Sequence, residues 1–244
     1  YSSACLGKKL YEEEYGEKNI CVLSSDSASA GELNLALYIR DLCEQSVPFQ
    51  EIEKRAAAYR DDLKTYFVLE SLDYLRKNGR LSGLQAFFAT TLNIKPVMAG
   101  DRGVIVKVDQ ARGMTKALQR MCDHAVRSVE DTRERVLVIA HCNCPERARF
   151  VKEGMGKGGR LREVVITESA GVAKVYANDG RIFIALEEKK VGIGPKMRIN
   201  YERSKERKWR GPVLDLFSLR GRHCGGRCSD HMGRRWPPFG FIRQ

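Results

Sequence analysis

The run 72–118 constrains the fold of this chain more than any other stretch. Leu72 and Leu75 with the polar residues between them predict a short helix, which Asn78-Gly79 stops. Two apolar runs, 94–98 and 104–108, flank Gly100-Asp101-Arg102-Gly103 and predict a β-hairpin. Arg112 then leads a helix with an apolar stripe at Met114, Leu118, Met121 and Ala125. A hairpin and an amphipathic helix this close in sequence bury their apolar faces best in a layered α/β structure. No short catalytic motif lies inside the run, which points to a scaffold that holds a ligand rather than one that transforms it.

The flanking sequence extends the same pattern. Residues 2–15 read as a helix. NICVLS (19–24) reads as a buried strand feeding the turn Ser24-Ser25-Asp26-Ser27-Ala28-Ser29-Ala30-Gly31 and a helix through Cys43, the first half of a βαβ unit. Ser29 is placed to cap that helix, with Glu32 at the capping-box position. Pro48 opens a second amphipathic helix over 49–63. TYFVL (65–69), RVLVIA (135–140), EVVIT (163–167) and RIFIAL (181–186) read as strands, with a helix near 146–153.

Charge is unevenly distributed. The net charge is +12, yet residues 191–244 hold 13 Lys/Arg against 4 Asp/Glu, so the body is nearly balanced. The tail also holds both tryptophans and Gly/Arg-rich stretches such as RGRHCGGRC, with poor periodicity, and is expected to pack weakly or not at all. A basic tail of this kind supports an alternative reading, a nucleic-acid or polyanion binder. No run of about 18 apolar residues predicts a transmembrane helix. The first residues carry no apolar signal core, so a cytoplasmic protein is expected, with front strands absent. The eight cysteines are scattered and imply no disulfide framework.

Other motifs are weak. His141-Cys142-Asn143-Cys144 lacks a second ligand pair, and His223-Cys224 with Cys228 and His231 is cramped for a tetrahedral metal. The glycines at 154, 156, 158 and 159 follow a helix instead of a strand, which fails the context for dinucleotide binding, and Gly156-Lys157 lacks P-loop spacing. No Ser/His/Asp set stands out, so no enzyme activity, cofactor or metal is expected. Ser27 and Ser29 sit at a strand–turn–helix mouth, where backbone N–H groups suit either an anion or simple capping. Arg80 reads as a structural link, and Lys95 as solvated.

Taken together, DSASAGE (26–32), TYFVLESLDYLRKNGRLS (65–82), LNIKPVMAGDRGVI (92–105), ARGMTKAL (111–118) and GVAKVYANDGRIFIA (171–185) resemble the DegV family of fatty-acid-binding proteins. The resemblance implies a two-lobed α/β fold with βαβ units and mixed sheets, and a long-chain fatty acid held between the lobes. It implies a non-enzymatic carrier that presents the carboxylate to a fatty acid kinase, with Ser27, Ser29, Arg112 and Tyr176 as lipid-binding residues. The implied organisation is a remnant of the N-terminal lobe over 1–64, a C-terminal lobe over 65–190 and the basic tail over 191–244. Three departures stand out. The family's opening Asp-Ser strand and Thr-Ser-Gln-Pro loop are absent, which implies weak or absent fatty-acid binding by the chain as it stands. Tyr176 stands where the family often has a histidine. The tail matches no part of the family pattern.

Overall fold

The computed structural model describes residues 1–72, 75, 77, 79, 93–129, 131–169, 171, 173–174 and 179–188. The expected disorder of the tail, Tyr176, Arg80, the His223–His231 cluster and most of the predicted helix after Leu72 lie outside the described residues. Within them the order is α1 (Ser2–Tyr15), α2 (Ala30–Glu44), α3 (Phe49–Asp62), β1 (Leu63–Val68), β2 (Ile94–Asp101), β3 (Val104–Arg112), α4 (Met114–Arg127), β4 (Val136–His141), α5 (Pro145–Gly156), β5 (Glu163–Glu168) and β6 (Ile182–Glu187).

Six strands form one mixed sheet in the order β3-β2-β1-β6-β4-β5. Only β4 and β5 run parallel, joined through α5 as a βαβ unit. The other neighbours are antiparallel. The β2–β3 hairpin turns through Arg102 (φ 48°) and Gly103 (φ 78°). Two positive φ values in a two-residue turn match the right-handed twist of the strands they join.

Helices cover both faces. On one face α4 and α5 bury Leu118, Met121, Val151 and Met155 against Val68, Leu137, Ile139 and Ile184. In α4 the buried positions Ala117, Leu118, Met121, Cys122 and Ala125 follow the helical repeat read in the sequence. Burial pushes the Cys122 thiol up to about 12, so it behaves as an apolar side chain. On the other face α2 and α3 pack Leu35, Tyr38, Leu42 and Tyr59 onto Val138, Ala140 and Ala185. Helices from the first 64 residues thus share a core with strands from 136–187, and residues 1–194 form one compact unit.

NICVLS is not a strand. Its backbone meets no strand among the described residues, and only side chains anchor it, with Leu23 packed on the α2/α3 core. An apolar run reports burial, not ladder hydrogen bonds, which is why the sequence misled here. Lys95 is not solvated either: its Nζ lies 2.9 Å from Glu70 Oε2 and donates to Glu70 O at 2.6 Å.

The sheet forks where β4 and β6 part. Their ladder ends at Val138 and Ala185, and Asn34 of α2 fills the gap. Its Nδ2 donates to Val136 O (3.1 Å) and Ala185 O (2.9 Å), and its Oδ1 accepts from the Tyr59 hydroxyl (2.7 Å). Nearby, a buried ion pair joins Arg135 Nη1 to Glu187 Oε2 at 2.8 Å. Asn34→Leu leaves two carbonyls and one phenol without their partner, each worth about 1–3 kcal/mol when buried. The expected loss is about 3 kcal/mol or more, read as a lower denaturant midpoint with unchanged m-value.

Candidate functional site

The Ser-rich turn before α2 meets the sheet at two places. Ser27 Oγ lies 2.7 Å from Thr65 Oγ1 in β1. Ser29 Oγ lies 3.3 Å from Ser169 Oγ, just after β5. The turn stitches itself through Ser24 Oγ to Asp26 Oδ1 at 2.6 Å and Ser25 Oγ to Ser27 O at 3.0 Å. Gly31 makes the Ser27 contact possible, because a Cβ there would stand 2.7 Å from Thr65 Oγ1 and overlap Ser27 Oγ.

Ser29 adopts φ 55°, ψ −104°, a conformation non-glycine residues rarely hold. The Glu32 carboxylate holds it there by accepting the Ser29 N–H at 3.2 Å, the capping-box half expected from the sequence. Strain of this kind persists only where surrounding contacts impose it, and it concentrates at ligand sites.

Arg181 opens β6 and is 1% exposed. Its guanidinium lies 5.6 Å over the Phe183 ring. Desolvation lowers its pKa from the ordinary arginine value, though Cys142 and Asp179 work against that shift. The turn that delivers Arg181 is clamped from both sides. Gly180 N–H donates to Cys142 O at 2.9 Å, and Cys142 N–H to Arg181 O at 3.3 Å. The Cys142 thiol and Asn143 Nδ2 both donate to Asp179 Oδ1, at 3.3 and 2.9 Å, and the Cys144 thiol donates to Arg181 O at 3.2 Å. The His-Cys-Asn-Cys segment thus holds the arginine's backbone. No cluster of three or more His, Cys, Asp or Glu converges on a metal position among the described residues.

A second lock lies beside it. Glu70, just after β1, takes Arg147 Nη2 at 2.6 Å and Lys95 Nζ at 2.9 Å, and Arg147 also bonds Gly180 O. Gly180 has φ 79°, and a Cβ there would sit 2.6 Å from Arg147 Nη1, so only glycine fits.

Polar and apolar surfaces adjoin on this sheet face. Phe67 follows Thr65 on the same side of β1, as alternation in a strand requires. It stacks on Phe183 with ring centroids 4.9 Å apart. Leu69, Leu75 and Met98 complete the buried apolar group, with Leu72 and Ile105 packed against it. Hydroxyls and a buried guanidinium suit a carboxylate, and the adjoining aromatic and aliphatic side chains suit a hydrocarbon chain. None of the serine hydroxyls here is hydrogen-bonded to a histidine among the described residues.

The structure brings Ser27 and Ser29 together but not Arg112. That residue ends β3, at the opposite edge of the sheet from Ser169 after β5. Five strand spacings separate those edges, about 24 Å. Arg112 is exposed, and its guanidinium has no bonded partner among the described residues. Tyr176 lies outside the described residues. Sequence reasoning missed Thr65, Ser169 and Arg181. Each was visible as a polar residue inside or beside an apolar strand run, where a solvated role is hard to satisfy.

Glu70 supplies a test of the lock. Burial pushes its carboxyl up, but hydrogen bonds from Lys95 and Arg147 outweigh that and hold it below the ordinary value of 4.5. A depressed folded pKa stabilises the fold above the unfolded value, and that stability is lost as pH falls through the folded pKa. Glu70→Gln is therefore expected to lower thermal stability at neutral pH. The gap to the parent chain should close as pH drops below the ordinary glutamate range, in paired melts across pH.

Comparison with known proteins agrees with this fold. The sequence pattern of the DegV family, described as uncharacterised proteins, matches residues 1–189. A DegV domain-containing protein of Streptococcus pneumoniae is 30% identical over 189 residues, covering 77% of this chain and 66% of its own length. The chain thus spans just under two thirds of that relative. A crystal structure of a DegV family protein from Ruminococcus gnavus with vaccenic acid superposes with TM-score 0.72 at 44% identity, covering 76% of this chain and 66% of the other. The Streptococcus pneumoniae Fatty Acid Kinase (Fak) B3 protein loaded with linoleic acid superposes with TM-score 0.69 at 29% identity, covering 77% and 66%. With the family pattern running through every described strand and helix, this chain belongs to the DegV family.

Proposed function

We propose that this chain binds a long-chain fatty acid and presents its carboxylate to a fatty acid kinase. The observation that carries the reading is the junction of two surfaces on one sheet face. Ser27, Ser29, Thr65, Ser169 and Arg181 form the polar part, and Phe183, Phe67 and Met98 form the adjoining apolar part. The fatty acids carried by two similar structures support the ligand class. The kinase partner rests on the name of one of those proteins.

In this reading the hydrocarbon chain supplies most of the affinity. Each buried CH₂ contributes about 0.8 kcal/mol, whereas a hydrogen bond to the charged head group contributes about 1.5–3 kcal/mol. The head-group residues therefore set register and selectivity. Arg112, exposed and distant from the serines, takes the role of a contact for the kinase and not for the carboxylate. Tyr176 remains part of the proposed lipid site through the family resemblance.

No helix among the described residues is long and apolar enough to cross a membrane. The proposed carrier takes its fatty acid from a membrane or from a partner. Its place of work in this reading is the cytoplasm, where a kinase finds its nucleotide.

Titration of the delipidated chain with fatty acids of increasing length tests the reading. Affinity should rise about fourfold per added CH₂ until the site is filled. The matching fatty alcohol should bind about tenfold or more weakly than the acid. Ser29→Ala and Arg181→Leu should narrow that acid–alcohol gap. Equal affinity for acid and alcohol, or none for either, refutes the proposal.

A further inference from the structure

We propose that Asp179 is the built-in counter-charge of Arg181 and sets how tightly the polar site holds a carboxylate. The inference deepens the proposed function, because it rests on Arg181 as a contact for the fatty acid's head group. It adds that this arginine is shared between two anions, one supplied by the chain and one by the ligand.

Asp179 lies two residues before Arg181, and both are tied to one cysteine. Cys142 donates its backbone N–H to Arg181 O at 3.3 Å and its thiol to Asp179 Oδ1 at 3.3 Å. Asn143 Nδ2 donates to the same carboxylate oxygen at 2.9 Å. Gly180, between the two charged residues, donates its N–H to Cys142 O at 2.9 Å. These hydrogen bonds fix the turn from both ends, and moving the carboxylate out of it breaks those to Cys142 and Asn143.

The two charges stand in different surroundings. Arg181 is 1% exposed, whereas Asp179 is exposed to solvent. Hydrogen bonds from Cys142 and Asn143 hold the Asp179 carboxyl below its ordinary value of 3.8, and the charges of Lys174 and Arg181 add to them. Asp179 is thus an anion at neutral pH. Burial disfavours the Arg181 charge, and Asp179 is among the groups that oppose that shift. Lys174 Nζ lies 3.2 Å from Glu168 Oε1, so a second carboxylate answers its charge.

A buried cation gains most from an anion that leaves water with it. The Asp179 carboxylate keeps its water and compensates Arg181 only in part, so a ligand carboxylate still gains from the guanidinium. Once that carboxylate binds, two like charges share one cation and repel each other. Asp179 therefore lowers the affinity for an acid and leaves that for a neutral head group untouched. In a carrier, this favours release of the head group to the next protein.

Asp179→Asn separates charge from structure, because the amide oxygen accepts the same two hydrogen bonds. The full, delipidated chain is titrated with vaccenic acid and with its alcohol. The variant should bind the acid about two- to fivefold more tightly than the parent at low salt, and the alcohol equally. The gain should fade at about 1 M salt, where an exposed charge is screened. A ligand-free double-mutant cycle reads the counter-charge directly: Asp179→Asn should lower the melting temperature more in the parent than in an Arg181→Leu chain.

A variant that leaves acid binding unchanged, or weakens acid and alcohol by the same factor, overturns the proposal and reduces Asp179 to a brace for the turn. An equal loss of melting temperature in both backgrounds overturns it too. A parent chain that binds acid and alcohol alike overturns the proposed function and this inference together. A parent that prefers the acid, with Asp179→Asn indifferent, overturns this inference alone.

Discussion

The fork between β4 and β6 is the constraint on which the rest of the structure depends. An antiparallel ladder that ends at Val138 and Ala185 leaves carbonyls inside the protein with no strand to satisfy them. Buried carbonyls without donors are costly, so α2 must deliver one. The Asn34 carboxamide bonds both carbonyls and in turn takes the Tyr59 hydroxyl of α3. One polar side chain therefore sets how α2 and α3 lie on the sheet. It also sets where the turn before α2 arrives, because a helix is a rigid rod on this scale.

That turn carries the polar side of the candidate site. With α2 positioned by Asn34, Ser27 reaches Thr65 and Ser29 reaches Ser169. The strained backbone at Ser29 is held by Glu32 from within the helix and by Ser169 from the sheet. Arg181 is placed independently, by the Cys142–Cys144 segment on one side and the Glu70–Arg147 pair on the other. Two separately braced structures thus lie on one face of the sheet. In the proposed function, preorganisation of this sort would let a small number of hydrogen bonds discriminate between head groups while a hydrocarbon chain dominates affinity.

The polar networks here are structural before they are functional. Residues with chemically suggestive patterns in sequence, such as His-Cys-Asn-Cys, are spent on holding a turn. Residues that looked ordinary, such as Thr65 and Ser169, are the ones the Ser-rich turn meets on the sheet. Motif chemistry alone does not separate these cases, because the same donors serve a backbone carbonyl or a ligand equally well.

Local physics sufficed for much of the fold. The stripe Met114, Leu118, Met121, Ala125 could bury itself only as a helix, and the turn at Arg102-Gly103 could only reverse a hairpin. Pro48 and the Ser29–Glu32 box marked helix starts by chemistry within a few residues. Separated pieces in a recognisable order identified the family. Pairing was not legible, because strand order and the fork at Val138 depend on contacts between residues more than a hundred positions apart. The same holds for Lys95, which looked solvated until Glu70 came beside it, and for the ICVL run, which is apolar yet finds no strand to pair with among the described residues. Sequence by itself determined the six strands of the sheet, the helices packed on them and the family, since those follow from neighbours along the chain, while it wrongly added NICVLS as a strand. Only tertiary structure decided that Ser27, Ser29, Thr65, Ser169 and Arg181 share a face and that Arg112 does not join them, since sheet order sets those distances.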